Sequence, residues 1–89
     1  MKVIFQTRQF KKDFKRIKKR GKDLSKLKEV VSAIANIETL EERHRDHALS
    51  GNSAGSRDSH VEPDWILIYR VDGDYLFLER TGSHSDLFR

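Results

Sequence analysis

Apolar residues recur at two different periods along this chain, and the change of period divides it. Val3, Ile4 and Phe5 form a short run of β-formers and predict a first strand over Lys2–Gln6. Phe10, Phe14 and Ile17 then fall at i, i+4 and i+7 among cationic residues, the stripe of a helix that Thr7 can cap and Gly21 can end. Asp23 or Ser25 opens a second helix with Leu24, Leu27, Val30, Val31, Ile34 and Ile37 along one face. The tight link between the two predicts an antiparallel helical hairpin. Glu38 to Gly55 is a polar connection that Leu40, Ala48 and Leu49 can pin to the core. The period then drops to that of strands. Arg57–Glu62 is one, Pro63-Asp64 is a turn, and Trp65–Tyr69 is apolar on both faces, as a central strand is. Asp72-Gly73 predicts a hairpin turn, with a returning strand over Tyr75–Glu79. The order β-α-α-β-β-β implies an α+β fold: a helical hairpin on one face of a mainly antiparallel, four-stranded sheet.

Composition narrows this picture. Eighty-nine residues make one domain, 1–89, and equal hydrophobic and charged shares of 36% leave a thin core. There is no cysteine, which excludes disulfides and thiolate metal sites. No apolar run reaches the roughly 18 residues of a membrane span, and Met1 leads straight into fold-like sequence, so a soluble, cytoplasmic protein is expected. The net charge of +4 is unevenly spread. Arg8 to Lys28 holds eleven Lys/Arg against two Asp, a net of +9, while the remainder is −5. Such a one-sided basic face suits a polyanion or an acidic protein partner; its plainer reading is a solvated helix face.

The second half concentrates the groups that move protons. Asp46–Gly51 reads D-H-A-L-S-G, Ser59–Trp65 reads S-H-V-E-P-D-W, and Thr81–Phe88 reads T-G-S-H-S-D-L-F. They place His47, His60, Asp64 and His84 around one short β-hairpin. Cleaving RNA without a metal needs a base for the 2′-hydroxyl, an acid for the departing 5′-oxygen and donors for the phosphoryl oxygens. Imidazole serves the first two because its unperturbed pKa of about 6.5 makes both forms available. Arg57 and Arg80 are candidate phosphate clamps, and Trp65 and Phe88 are candidate base-stacking rings. Each has a duller alternative. His60 can be an ordinary hydrogen-bonding residue, Asp64 a turn residue, Trp65 core and Phe88 a cover for the sheet. Arg57 and Arg80 can pair with Asp58 or Glu79. A zinc site is the sharpest chemical rival, built from His44-x-x-His47 with His60, Asp64 or His84.

D-H-A-L-S-G, then G-x-x-x-G-x-R-D-S-H-V-E-P-D-W-I-L-I-Y, then E-R-T-G-S-H-S-D-L-F, resembles the YafQ toxins of the RelE superfamily. K-D-x-x-K-L-K at Lys22–Lys28 fits as well, so the resemblance spans nearly the whole chain. It implies a ribosome-dependent mRNA endonuclease that cuts the A-site codon without a metal or other cofactor, leaving a 2′,3′-cyclic phosphate, and that pairs with an antitoxin. His47, His60, Asp64 and His84 match the family's proton-transfer positions, and Trp65 and Phe88 match neighbours that help hold mRNA. The basic helices, with Lys11, Lys15, Lys18 and Lys19, would contact ribosomal RNA. The chain departs from the family at Ser53, Ala54 and Ser56, where bulkier or basic residues are usual. That departure motivates an alternative in which the fold and partners are kept and cleavage is weak or lost.

Overall fold

A computed structural model describes residues 2–36 and 55–88 and, between them, the backbone of His47 and Ala48. Strand β1 (Val3–Gln6) leads through Thr7 into helix α1 (Arg8–Lys19). The Thr7 hydroxyl accepts the Phe10 N–H at 3.0 Å and donates to the Glu79 carbonyl at 2.9 Å. One side chain therefore starts the helix and ties it to the sheet. Gly21 follows the end of α1 with φ +75°, a left-handed step that a residue without Cβ takes at least cost. Asp23 then caps α2 (Leu24–Ala35) by accepting the Ser25 N–H. The expected stripes face inward: Phe10, Ile17, Leu27, Val30 and Ile34 are buried, with Phe14, Leu24 and Val31 at their margin. Ile37, Leu40 and Leu49 lie outside the described residues.

The remaining strands are β2 (His47–Ala48), β3 (Arg57–Glu62), β4 (Trp65–Asp72) and β5 (Tyr75–Gly82), followed by one helical turn, α3 (His84–Leu87). The sheet order is β1-β5-β4-β3-β2, antiparallel throughout except where β1 runs parallel to β5. The expected α+β architecture forms, with two additions too short to carry a readable period: the two-residue edge strand β2 and the turn α3. The hairpin loop is Gly73-Asp74, one position beyond Asp72-Gly73, because Asp72 still pairs with Tyr75 and Gly73 takes the positive φ of +59°.

Alternation along β4 sorts the two faces. Trp65, Leu67 and Tyr69 join Val61, Leu76 and Leu78 in the core beneath the helices. Ile66, Ile68 and Arg70 take the opposite face. His60 is paired with Ile66, and Arg70 with Phe77, whose ring stacks 5.6 Å from Phe5. The face away from the helices thus carries an imidazole at one end and an aromatic cluster at the other.

Candidate active site

The site is assembled where the β3–β4 turn meets the start of α3. Val61 is an extra residue opposite β4, and the resulting bulge precedes the Pro63-Asp64 turn. The turn presents the Asp64 carboxylate to α3, where it accepts the His84 backbone N–H at 3.0 Å and lies 3.5 Å from His84 Nδ1. A capping box fixes α3 itself: Ser83 Oγ accepts the Asp86 N–H at 3.2 Å, and Asp86 accepts the Ser83 N–H at 2.9 Å. The Arg20 guanidinium grips the same Asp86 carboxylate at 2.6 and 3.1 Å, locking the end of α1 to α3. His84 is therefore oriented by three elements at once.

From that position the His84 ring stands 5.9 Å from the His60 ring and 5.6 Å from Phe88. The row Phe88–His84–His60 runs along one surface, with Asp64 beside its middle member. Exposure grades along it: His60 is buried, whereas the side chains of His84 and Asp64 are 60% and 72% exposed. For His47 the backbone position alone is described, paired with Asp58, two positions along β3 from His60. Next to this row, Ser56, Ile68, Glu79, Arg80, Leu87 and Phe88 line a cavity of about 440 Å³. Phe88 is shared between the cavity and the imidazole row.

The carboxylates here are held ionised. The His84 backbone N–H, and then its side chain, lower the Asp64 pKa, so Asp64 is an acceptor at neutral pH rather than a proton donor. Arg20, then the Ser83 N–H, hold Asp86 far below the usual carboxylate range. Lys26 and Lys22, bonded to Glu62 at 2.8 and 3.2 Å, lower that group too and pin the end of β3 to the helical hairpin. His44 lies outside the described residues, and among the described residues no three His, Asp or Glu side chains gather as a metal site would require.

Two expectations need correction. Trp65 cannot stack on a base: its ring is 0% exposed, and its Nε1–H donates to Thr81 Oγ1 at 2.9 Å. It begins the central strand on the core-facing parity, and burial follows from that position. Arg57 is exposed but sits opposite Tyr69, on the helix side of the sheet, so it does not share the face of His60. Arg80 does line the cavity, although its partner is neither Asp58 nor Glu79 but Asp13 on α1, at 2.8 Å. Phe88 is 46% exposed, and Lys11, Lys15, Lys18 and Lys19 are exposed along α1. Sequence reasoning passed over Asp13 and Asp86. Asp13 carried a legible signal: it falls three residues after Phe10 and four before Ile17, an acid on the apolar stripe of a basic helix. Asp86 had a weaker one, as the third residue after Ser83 in a capping-box spacing.

Comparison with known proteins sets this geometry among relatives. The family described as "Bacterial toxin of type II toxin-antitoxin system, YafQ" matches residues 2–89. The "mRNA interferase toxin YafQ" of Escherichia coli K12 is 48% identical over 81 residues, covering 90% of this chain and 88% of that protein. The crystal structure of YafQ from an Escherichia coli strain superposes with a TM-score of 0.94 at 42% identity, over 100% of both chains. The structure of the Escherichia coli DinJ-YafQ complex contains a chain with a TM-score of 0.91 at 44% identity, again over 100% of both.

Proposed function

The chain belongs to the YafQ family of type II toxin–antitoxin toxins, and from that premise we propose that it is an endoribonuclease cutting mRNA in the ribosomal A site. The reaction is an internal transfer. The 2′-oxygen attacks the adjacent phosphorus and the bond to the 5′-oxygen breaks, leaving a 2′,3′-cyclic phosphate upstream and a 5′-hydroxyl downstream. One proton leaves the 2′-hydroxyl and one is returned to the 5′-oxygen, so no cofactor is consumed. His84, exposed and oriented by Asp64, and His60, one ring away, flank the scissile phosphate. His47, whose backbone pairs with Asp58 two residues from His60, is the further proton-transfer group of this reading. Asp64 acts as an ionised partner to His84 and stabilises its imidazolium when a proton is taken up. Arg80 supplies donors to the phosphoryl oxygens, and Phe88 stacks on a base at the mouth of the cavity.

The observation that carries this reading is the row of Phe88, His84 and His60 at 5.6 and 5.9 Å, with Asp64 bonded to the backbone of its middle member. Lys11, Lys15, Lys18 and Lys19 on α1 neutralise phosphates of ribosomal RNA, as an exposed cationic helix face does. The same face is covered in the resting cell by the antitoxin, an acidic, partly disordered segment. Among the described residues no helix is long and apolar enough to cross a membrane.

Replacing His84 by Ala tests the proposal. Induced expression of the variant should no longer arrest growth, and cleavage on programmed ribosomes should fall about 10²–10⁴-fold, the usual worth of general acid–base help. A folded variant with undiminished toxicity would refute it. Protection of the A-site codon without any cutting by the native protein would favour the binding-only alternative.

A further inference from the structure

Asp13 is wholly buried in the middle of the most basic segment of the chain, and nothing in the chemistry above uses it. Its surroundings are unusual. Strand β1 covers β5 only as far as Leu78, so beyond that point the edge of β5 has no strand beside it among the described residues. Helix α1 runs there instead, and Asp13 takes the place of the missing strand by accepting the Thr81 backbone N–H at 3.2 Å. The same carboxylate accepts Arg80 Nε at 2.8 Å and Arg80 Nη2 at 3.4 Å, Arg16 Nη2 at 2.7 Å and the Gln9 amide at 3.2 Å.

The contact with Arg80 is side-on. It occupies Nε and one edge of Nη2, and leaves Nη1 without an acceptor among the described residues. A guanidinium held by that edge is fixed in plane and aims its remaining N–H groups outward. Arg80 is 33% exposed and lines the cavity that shares Phe88 with the His84 row. An arginine free to swing over a solvated surface would lose conformational entropy on meeting a phosphate. This one has already lost it, to a partner with 0% side-chain exposure. We infer that Asp13 is a positioning residue for RNA cleavage, acting through Arg80 by holding its free N–H groups toward the phosphate bound beside His84. The inference rests on the endoribonuclease reading, and names a helix residue remote from the catalytic loops as part of how that site works.

A double-mutant cycle on single-turnover cleavage of ribosome-bound mRNA separates positioning from mere support of the fold. Arg80→Ala should slow cleavage about 10²-fold, the scale of removing one oxyanion donor. Asp13→Asn should cost on the order of 10-fold or more through misplacement. The pair together should be no slower than Arg80→Ala alone, because Asp13 has nothing to orient once Arg80 is gone. Losses that multiply in full, or an Arg80→Ala variant that cuts at the native rate, overturn the inference. Should Asp13→Asn fail to fold, Arg80→Lys decides: it keeps the charge but not the side-on pair, and should resemble Arg80→Ala rather than the native protein. A native rate for Arg80→Lys overturns positioning. His84→Ala is run alongside. If that variant still cuts, the catalytic reading itself has failed, a result distinct from any outcome of the cycle.

Discussion

Gly82 shows how tightly single residues are fitted around the imidazole row. A Cβ built there meets Asp86 Cβ and Oδ2 at 2.9 Å, closer than real methyl contacts come. Asp86 has little freedom to yield, since Arg20 and Ser83 hold it from two sides. Gly82→Ala should therefore destabilise the fold by about 1–3 kcal/mol, the range for overpacking a fitted site. Urea denaturation measures the loss directly, and cleavage should fall with it, because α3 carries His84. A stability equal to the native value would show that α3 is looser than the capping box implies. At this scale the sequence was a good guide to chemical identity and a poor one to exposure. His60, Asp64 and His84 stand out by residue type, and the turn at Pro63-Asp64 and the passage from β5 into α3 bring them near one another. Trp65 was misjudged because indole suits RNA and core equally well. Only the parity of its strand position, which alternates with Ile66 and puts it on the core face of β4, separates the two.

At the scale of elements, the short helix α3 depends on an ion cluster more than on apolar contacts, none of its residues being buried. The Asp86 pKa is depressed by Arg20 and then by the Ser83 N–H, so its ionised form is favoured in the folded state. The sign of the linkage follows. A carboxylate with a depressed folded pKa adds stability above its unfolded value, about 3.9, and that stability is lost as the pH falls below it. Native protein should lose this contribution on acidification from roughly pH 4 downward. Asp86→Asn should be less stable near neutrality, by about 1 kcal/mol as for other helix caps, and should show a flatter pH dependence in the acid window. Denaturation midpoints across pH 2–7 check both statements; parallel curves for the two proteins would contradict them. The long elements were legible for plain reasons. The stripe of Phe10, Phe14 and Ile17 and the run Trp65–Tyr69 each repeat often enough to show a period. The strand β2, with two residues, and α3, with four, do not. Their positions are set by long-range partners, Asp58 for one and Arg20 and Asp64 for the other.

The whole molecule divides its labour between two surfaces. The cationic side of α1 is the proposed electrostatic handle, while the far end of the opposite sheet face carries the proposed chemistry. Two ion clusters cross between them: Asp13 joins α1 to Arg80, and Asp86 joins Arg20 to α3. The same helix therefore presents lysines outward and, from its inner side and its end, fixes groups at the candidate site. The charge asymmetry was visible in composition, whereas the two clusters were not, because they join residues separated by 66 and 67 positions. The central claim is that His84, His60 and Asp64 cut RNA by activating its own 2′-hydroxyl. Purified protein added to ribosomes carrying a defined codon in the A site should yield an upstream fragment ending in a 2′,3′-cyclic phosphate and a downstream fragment beginning with a 5′-hydroxyl. A 3′-hydroxyl paired with a 5′-phosphate, the signature of attack by an external water, would contradict it.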